Sequence, residues 1–256
     1  MNAVEVKNLS FRYGKKVVFK NVSFDVEKGS FLTVLGKGGS GKSTLFKILS
    51  GQYDNGGGVC YFGKSVKYSL EKGYVGFISP FLNNFEKSTV ADEFIDVLKS
   101  KGKSLDNIKI EIGRVVKKIG IEDLLYSNFN DLSFKEKILV MIAYQILFRP
   151  KILILDNIFV YLDAEFKVAM REIKRLNKRM TIINLTNNTS ECIYGDKTYV
   201  IGDDDICDVI KLKSNYFIDK GLRVPFMIML SSRLKSYDLI NDNYLDMEML
   251  VDKLWK

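Results

Sequence analysis

The sequence predicts an α/β fold built on a mostly parallel sheet, and three observations carry that prediction. Residues 31–50 run from a short apolar stretch, FLTVL, through a glycine-rich turn, GKGGSGKS, into a segment, KSTLFKILS, with apolar residues at helical spacing. Three later runs rich in isoleucine and leucine, residues 151–155, 180–185 and 198–201, have the length and continuity of strands buried on both faces. Between these two regions, from about Thr89 to Phe148, helical periodicity dominates, so strands and helices alternate along the chain.

Composition agrees with a folded domain. The chain has 256 residues, of which 46% are hydrophobic, enough to fill a sizeable core and to exclude a disordered chain. Its longest apolar stretch, residues 138–148 (ILVMIAYQILF), is interrupted by Gln145 and stops at Arg149. That is short of the roughly 18 to 20 residues a bilayer span needs, so no membrane span is expected. The first residues, MNAVEVKNLSFRYG, have no basic segment leading into an apolar one, and Cys60, Cys192 and Cys207 are too few and scattered for a disulfide framework. A cytosolic, reducing setting is expected. The formal charge of +8 admits nucleic acid, an anionic membrane surface or nucleotide as partner. With lysines spread along the sequence and no arginine-rich or aromatic-interleaved basic run, it reads as solubility plus attraction to phosphate, and no nucleic-acid partner is expected. The chain has no histidine, which removes His-ligated metal sites and His general bases together.

Taken in order, residues 3–35 alternate apolar and polar positions and break at Tyr13-Gly14 and Lys28-Gly29-Ser30, as antiparallel strands feeding a buried strand at 31–35 would. The helix from Lys42 carries Leu45, Ile48 and Leu49 on one face and meets Gly51, a good C-terminal stop. Residues 52–79 read as turns and short strands. A helical subdomain follows over about 80–148, with a polar break at 128–131. After the last strand the composition turns acidic (Asp203, Asp204, Asp205), and Pro225 precedes an amphipathic pattern, Phe226, Met229, Leu230, Arg233, Leu234. The expected division is a main domain over 1–207 and a small helical appendage over 208–256.

The sharpest chemical signal is GKGGSGKS, comprising Gly36, Lys37, Gly38, Gly39, Ser40, Gly41, Lys42 and Ser43, followed by Thr44. It matches the phosphate loop of P-loop NTPases: glycines let backbone N–H groups face the phosphates, Lys42 reaches the β- and γ-phosphates, and Ser43 ligates Mg²⁺. The helix that follows offers its N-terminal dipole. ATP and Mg²⁺ are the expected ligands. Asp156 closes the KILIL run and suits the second Mg²⁺ position, a carboxylate presented beside the phosphate loop. Tyr13, just before the first break, is placed to stack on adenine, although a strand aromatic can equally pack in the core.

With these residues in hand, the chain resembles ABC ATPases from end to end: an aromatic in an F-x-Y position, the phosphate loop, a helical subdomain, Leu132-Ser133, KILILD and Leu162-Asp163. Residues 131–163 align without gaps to that family's stretch from the LSGGQ signature to the Walker B aspartate. The resemblance implies a head-to-tail ATPase dimer in which Ser133 closes on nucleotide held by the partner. The tail, GLRVPFMIMLSSRLKSYDL followed by LDMEMLVDKLW, is similar to that of energy-coupling-factor (ECF) importer ATPases, and Asn83-Asn84-Phe85 before Thr89-Val90 is similar to their Q-loop region. In that family such tails are implicated in pairing two ATPases, and the Q-loop face meets a transmembrane coupling subunit.

Four family positions depart from the pattern. Gap-free alignment puts the catalytic glutamate at Asn157, whose amide orients water but cannot take its proton. The switch histidine falls at Asn187, and the Q-loop glutamine at Ser79, too short to reach metal and water in the same way. LSGGQ has become LSFKE, in which Phe134 and Lys135 replace glycines that allow close backbone approach; Lys135 offers a compensating charge that Glu136 would oppose. The resemblance therefore implies an ATP-binding subunit of an ECF-like importer with impaired hydrolysis at its own site. Its expected partners are a second, competent ATPase in a heterodimer and a transmembrane coupling protein, with a location on the cytoplasmic face of the membrane. The alternative is a soluble ABC-type regulatory or scaffold protein using nucleotide-dependent dimerisation.

Overall fold

The computed structural model describes residues 1–54, 56, 58–82, 85–201, 206–208 and 211–255. Asn83, Asn84 and the acidic run Asp203 to Asp205 lie outside the described residues.

The alternating pattern at the start forms two long antiparallel strands, β1 (Asn2–Tyr13) and β2 (Lys16–Glu27), which turn at the Tyr13↔Lys16 pair. They are followed by β3 (Phe31–Leu35), α1 (Lys42–Leu49), β4 (Val59–Tyr61) and β5 (Lys64–Ser65). β1, β2, β4 and β5 make an antiparallel sheet in the order β2-β1-β4-β5. Within the region expected to hold only turns and strands lies a helix, α2 (Val66–Glu71), capped by the Ser65 hydroxyl, which accepts from the Tyr68 N–H at 3.3 Å. At six residues it is shorter than the window over which helical periodicity shows, and its cap is its clearest sequence signal.

β6 (Val75–Ile78) begins the return to the main sheet, and α3 (Val90–Lys99), α4 (Leu105–Ile119) and α5 (Phe134–Phe148) form the helical subdomain. The expected polar break is a short 3-10 turn at Phe129–Asp131, with the Asn128 side chain accepting from the Asn130 N–H at 2.8 Å. α5 buries residues all round, from Ile138 to Leu147, which is how a helix enclosed by its neighbours reads. β7 (Ile152–Asp156), β8 (Thr181–Thr186), β9 (Lys197–Val200) and β10 (Ile206–Asp208) complete the main sheet, with α6 (Phe166–Asn177) between β7 and β8 in sequence. The sheet's order is β10-β9-β3-β8-β7-β6, parallel except for the β10–β9 pair.

Both faces of this sheet are covered, and β7 shows why its sequence is continuously apolar. Ile152 and Ile154 face the core shared with the antiparallel sheet and α1, whereas Leu153 and Leu155 face the core of the helical subdomain. The tail forms α7 (Ser214–Asp219), α8 (Phe226–Ser236) and α9 (Met247–Leu254). The expected boundary at 207/208 falls inside β10. The tail also shares a core with the main sheet, with Leu212, Phe217 and Ile228 packing beside Leu35, Cys192 and Val200. Among the described residues no helix is long and apolar enough to cross a membrane.

Candidate functional site

The C-terminal ends of β3, β7 and β8 lie side by side, and each delivers a site residue. β3 leads into the glycine loop, β7 ends on Asp156 and Asn157, and β8 is followed by Asn187. The Gly36 N–H donates to the Thr186 carbonyl at 3.3 Å and the Asn157 N–H to the Leu185 carbonyl at 2.8 Å, which ties the three strand ends together. This is the edge at which parallel α/β sheets bind ligands.

The loop's glycines answer to geometry. Gly41 has φ 100°, and a Cβ there would lie 2.7 Å from the Phe19 and Val18 side chains; a Cβ at Gly36 would lie 2.2 Å from Ser40 Oγ. The Lys42 ammonium donates to the Gly36 carbonyl at 2.6 Å and to the Lys37 carbonyl at 3.0 Å, which holds the side chain back over the loop. Partial burial lowers the Lys42 pKa, opposed by the charge of Asp156. Burial raises the Asp156 pKa, opposed by the Ser79 hydroxyl, which donates to Asp156 Oδ2 at 3.4 Å, and by Lys42.

A cavity of about 460 Å³ opens over this edge. Tyr13, Gly38, Gly39, Ser40, Gly41, Lys42, Ser43 and Thr44 line it together with Asp156, Asn157 and Asn187, so residues up to 174 positions apart in sequence meet in one cleft. Gly36 and Lys37 adjoin it through Lys42, and Ser79 through Asp156. Tyr13 is partly exposed. Its hydroxyl stands 3.3 Å from Thr44 Oγ1 and its ring packs edge-on against Phe11 and Tyr53, so the cleft presents an aromatic wall. Lys16, Val17 and Val18 also line the cleft and were not anticipated. The one available signal was the hairpin register, which pairs Lys16 with Tyr13.

The donor set fits Mg²⁺. Ser43 and Asp156 offer a hydroxyl and a carboxylate on one wall, both hard oxygen ligands. Among the described residues there is no group of three metal-ligating acidic, cysteine or histidine side chains, so water or phosphate oxygens would complete the shell of a cation held here. Two buried acceptors in cleft residues, Ser40 Oγ and Asn157 Oδ1, have no hydrogen-bond partner in the protein. Asn157 itself is held at φ 50°, a left-handed conformation that asparagine tolerates better than most residues.

Ser133 stands apart from this cleft. Its hydroxyl accepts from the Glu136 N–H at 3.4 Å while the Glu136 carboxylate accepts from the Ser133 N–H at 2.8 Å, a complete capping box at the start of α5, and the hydroxyl also donates to Glu136 Oε2 at 2.6 Å. Those bonds hold the Glu136 pKa down. Glu136 thus serves the cap as a carboxylate, and Lys135, the expected compensating charge, pairs with Glu165 at 3.0 Å. Phe134, at the first changed glycine position, is half exposed and packs between Phe81 and Tyr161, with ring centroids at 5.7 and 5.5 Å.

Residues 19–160 match the family described as ABC transporter. Over 264 residues the chain is 32% identical to the energy-coupling factor transporter ATP-binding protein EcfA1 of Fusobacterium nucleatum, covering 97% of each protein. It is 28% identical over 248 residues to the spermidine/putrescine import ATP-binding protein PotA of Mesoplasma florum, covering 94% of this chain and 71% of that one. The fold superposes on cbiO1 of Clostridium perfringens, described as part of the ABC transporter complex cbiONQ, with a TM-score of 0.67 at 24% identity, over 92% of this chain and 97% of that one. Sharing the cassette fold along nearly its whole length, and matching the family over more than half of it, the chain belongs to the ABC transporter family.

Proposed function

We propose that this chain is the ATP-binding subunit of an ECF-like importer that holds Mg-ATP in the β3/β7/β8 cleft and hydrolyses it poorly at that site. The observation that carries this reading is a contrast inside one cavity: Lys42, Ser43 and Asp156 converge on it, while the position after Asp156 is Asn157. Lys42 and the loop amides would take the phosphates, Tyr13 the base, and Ser43 with Asp156 the cation. Bound Mg²⁺ supplies charge neutralisation between the phosphates. Asn157 Oδ1 can accept from a water but cannot remove its proton, and no histidine exists in the chain to substitute. Asn187 at the cleft rim can still hydrogen-bond a phosphate oxygen.

The opposite composite site of the dimer would receive Ser133, Phe134 and Lys135. Drawing the Ser133 hydroxyl onto a phosphate would break its bond to Glu136, and the Phe134 ring stands where close backbone approach is needed. The chain thus weakens both sites, which favours a heterodimer with a competent second ATPase, on the cytoplasmic face of the membrane beneath a transmembrane coupling protein. EcfA1 and cbiO1, by their descriptions, serve transporters, and the similarity along almost the entire chain supports that assignment. Purification of the tagged chain from native membranes tests it. A second ATPase and a polytopic membrane protein are expected to co-purify, and recovery of the chain alone would favour a soluble scaffold.

A further inference from the structure

Cationic side chains that are scattered along the sequence meet on one face of the fold, at the opposite end of the parallel strands from the phosphate loop. There, at the N-terminal ends of β7 and β8 and beside the turn into β3, lies a second cavity of about 580 Å³. Lys28, Lys151, Lys178 and Arg179 line it, with Met1, Phe62 and Met180 as its apolar part, and no carboxylate does. None of the four cations forms an ion pair with a carboxylate among the described residues; Glu27, next to Lys28, is taken by Lys197. The adjoining surface of α6 adds Lys167 and Lys174, and two arginines, Arg171 and Arg175, that share the buried Glu172. Such a concentration of one sign raises the local concentration of anions.

The frame beneath these cations is fixed. The Gly29 N–H donates to Thr181 Oγ1 at 2.9 Å, and Asn177 Nδ2 donates to the Gly29 and Met180 carbonyls, both at 3.1 Å. These bonds lock the turn before β3 to the turn between α6 and β8. Phe62 supplies an independent sign of use. With Gly63 it forms the two-residue turn between Tyr61 and Lys64, and both residues have positive φ, 50° and 70°. Turns of this kind favour Asn-Gly, and a bulky residue at the first position is strained by roughly 1 kcal/mol or more. The ring it places on the cavity wall lies 5.9 Å from the Lys151 ammonium, which itself sits 3.5 Å from the Tyr74 ring centroid.

We propose that this cavity is a second anion site that binds a nucleoside polyphosphate, with the phosphates on Lys28, Lys151, Lys178 and Arg179 and the base against Phe62. Its volume falls within the range of small-molecule sites, roughly 300 to 1,000 Å³, and its concavity suits a compact ligand better than a nucleic-acid backbone. Strands of five or six residues separate it from the phosphate loop, about 17 Å at 3.3 Å per residue, so both sites can be filled at once.

Equilibrium dialysis of the full chain against ATP, GTP and inorganic tripolyphosphate at physiological ionic strength tests this. Wild type is expected to bind two equivalents of nucleotide. K42A should keep one, K178E/R179E should keep the other, and the triple variant should keep neither; K178Q/R179Q repeats the test without charge reversal in case the first double variant misfolds. F62A should weaken nucleotide at the second site by about tenfold and leave tripolyphosphate unchanged. The proposal is overturned if K42A binds no nucleotide, if both double variants retain two equivalents, or if tripolyphosphate binds K42A as tightly as nucleotide does. Preferential capture of a single-stranded oligonucleotide would overturn it in favour of nucleic acid.

Discussion

On the proposed reading Asn157 limits the chemistry of the cleft: it directly follows Asp156, and its acceptor atom is buried without a partner. Restoring a carboxylate there supplies one missing group out of several, since Ser79, Asn187 and Phe134 remain changed. N157E is therefore expected to raise steady-state ATP turnover by less than about tenfold, against the roughly 10² to 10⁴ that a general base alone contributes in an intact site. A larger gain in a coupled-enzyme assay would show that the other three changes are neutral. A second residue-scale prediction concerns Glu191, 2% exposed, which accepts from Asn184 Nδ2 at 2.9 Å. Burial pushes its pKa up from 4.5 to about 6, so the folded chain holds this proton after the unfolded chain has lost it. Its stabilising contribution is full below about pH 4.5 and is lost as pH rises through 6, amounting to about 2 kcal/mol. E191Q should flatten that slope in urea titrations between pH 4 and 7, and an unchanged slope would assign the proton elsewhere. Asn157 stands out as a departure because residues 131–163 align without gaps to the family, whereas Asn187 and Ser79 are placed only by the strand before the one and by Thr89-Val90 after the other. Lys16 does not stand out, because its place in the cleft depends on hairpin register.

At the scale of elements, α5 is where the altered signature becomes structure. Its capping box joins Ser133 and Glu136 reciprocally, so S133A should destabilise the chain by about 1 kcal/mol in equilibrium denaturation, and a change below a few tenths would mean the box is not formed in solution. The S-x-x-E spacing of this cap is present in the sequence, where it overlaps the position of LSGGQ. The strands were legible from their apolar runs because a sheet covered on both faces demands them. The helix α2 was not, because one and a half turns leave too little periodicity to read. α6 carries buried Glu172, which also pairs with Lys118 of α4 and so ties the helical subdomain to α6. That link joins residues far apart in sequence and has no local signature.

At the scale of the molecule, the tail belongs to the body. Phe217 is fully buried beside Leu35, which precedes the phosphate loop directly, and β10 bridges the position where composition suggested a boundary. F217A is expected to cost about 3 to 5 kcal/mol and to lower the melting temperature of the whole chain in a single transition. A separate, low-temperature transition with an unaltered main one would make the appendage an independent unit. Fold class was readable because length, apolar runs and the glycine loop agree on one architecture. The gathering of positive charge at the far edge of the sheet was not, because Lys28, Lys151 and Arg179 come together only through strand order. A cassette that grips Mg-ATP while its own chemistry is impaired, as proposed, should separate binding from turnover. The most direct measurement is nucleotide binding and phosphate release on one purified sample with Mg²⁺, with K42A as the control for the loop. Saturable binding that K42A abolishes at the loop is expected, with phosphate release about 10² to 10⁴ slower than from a cassette carrying an intact general base. Release at the rate of such a cassette would contradict the proposed reading.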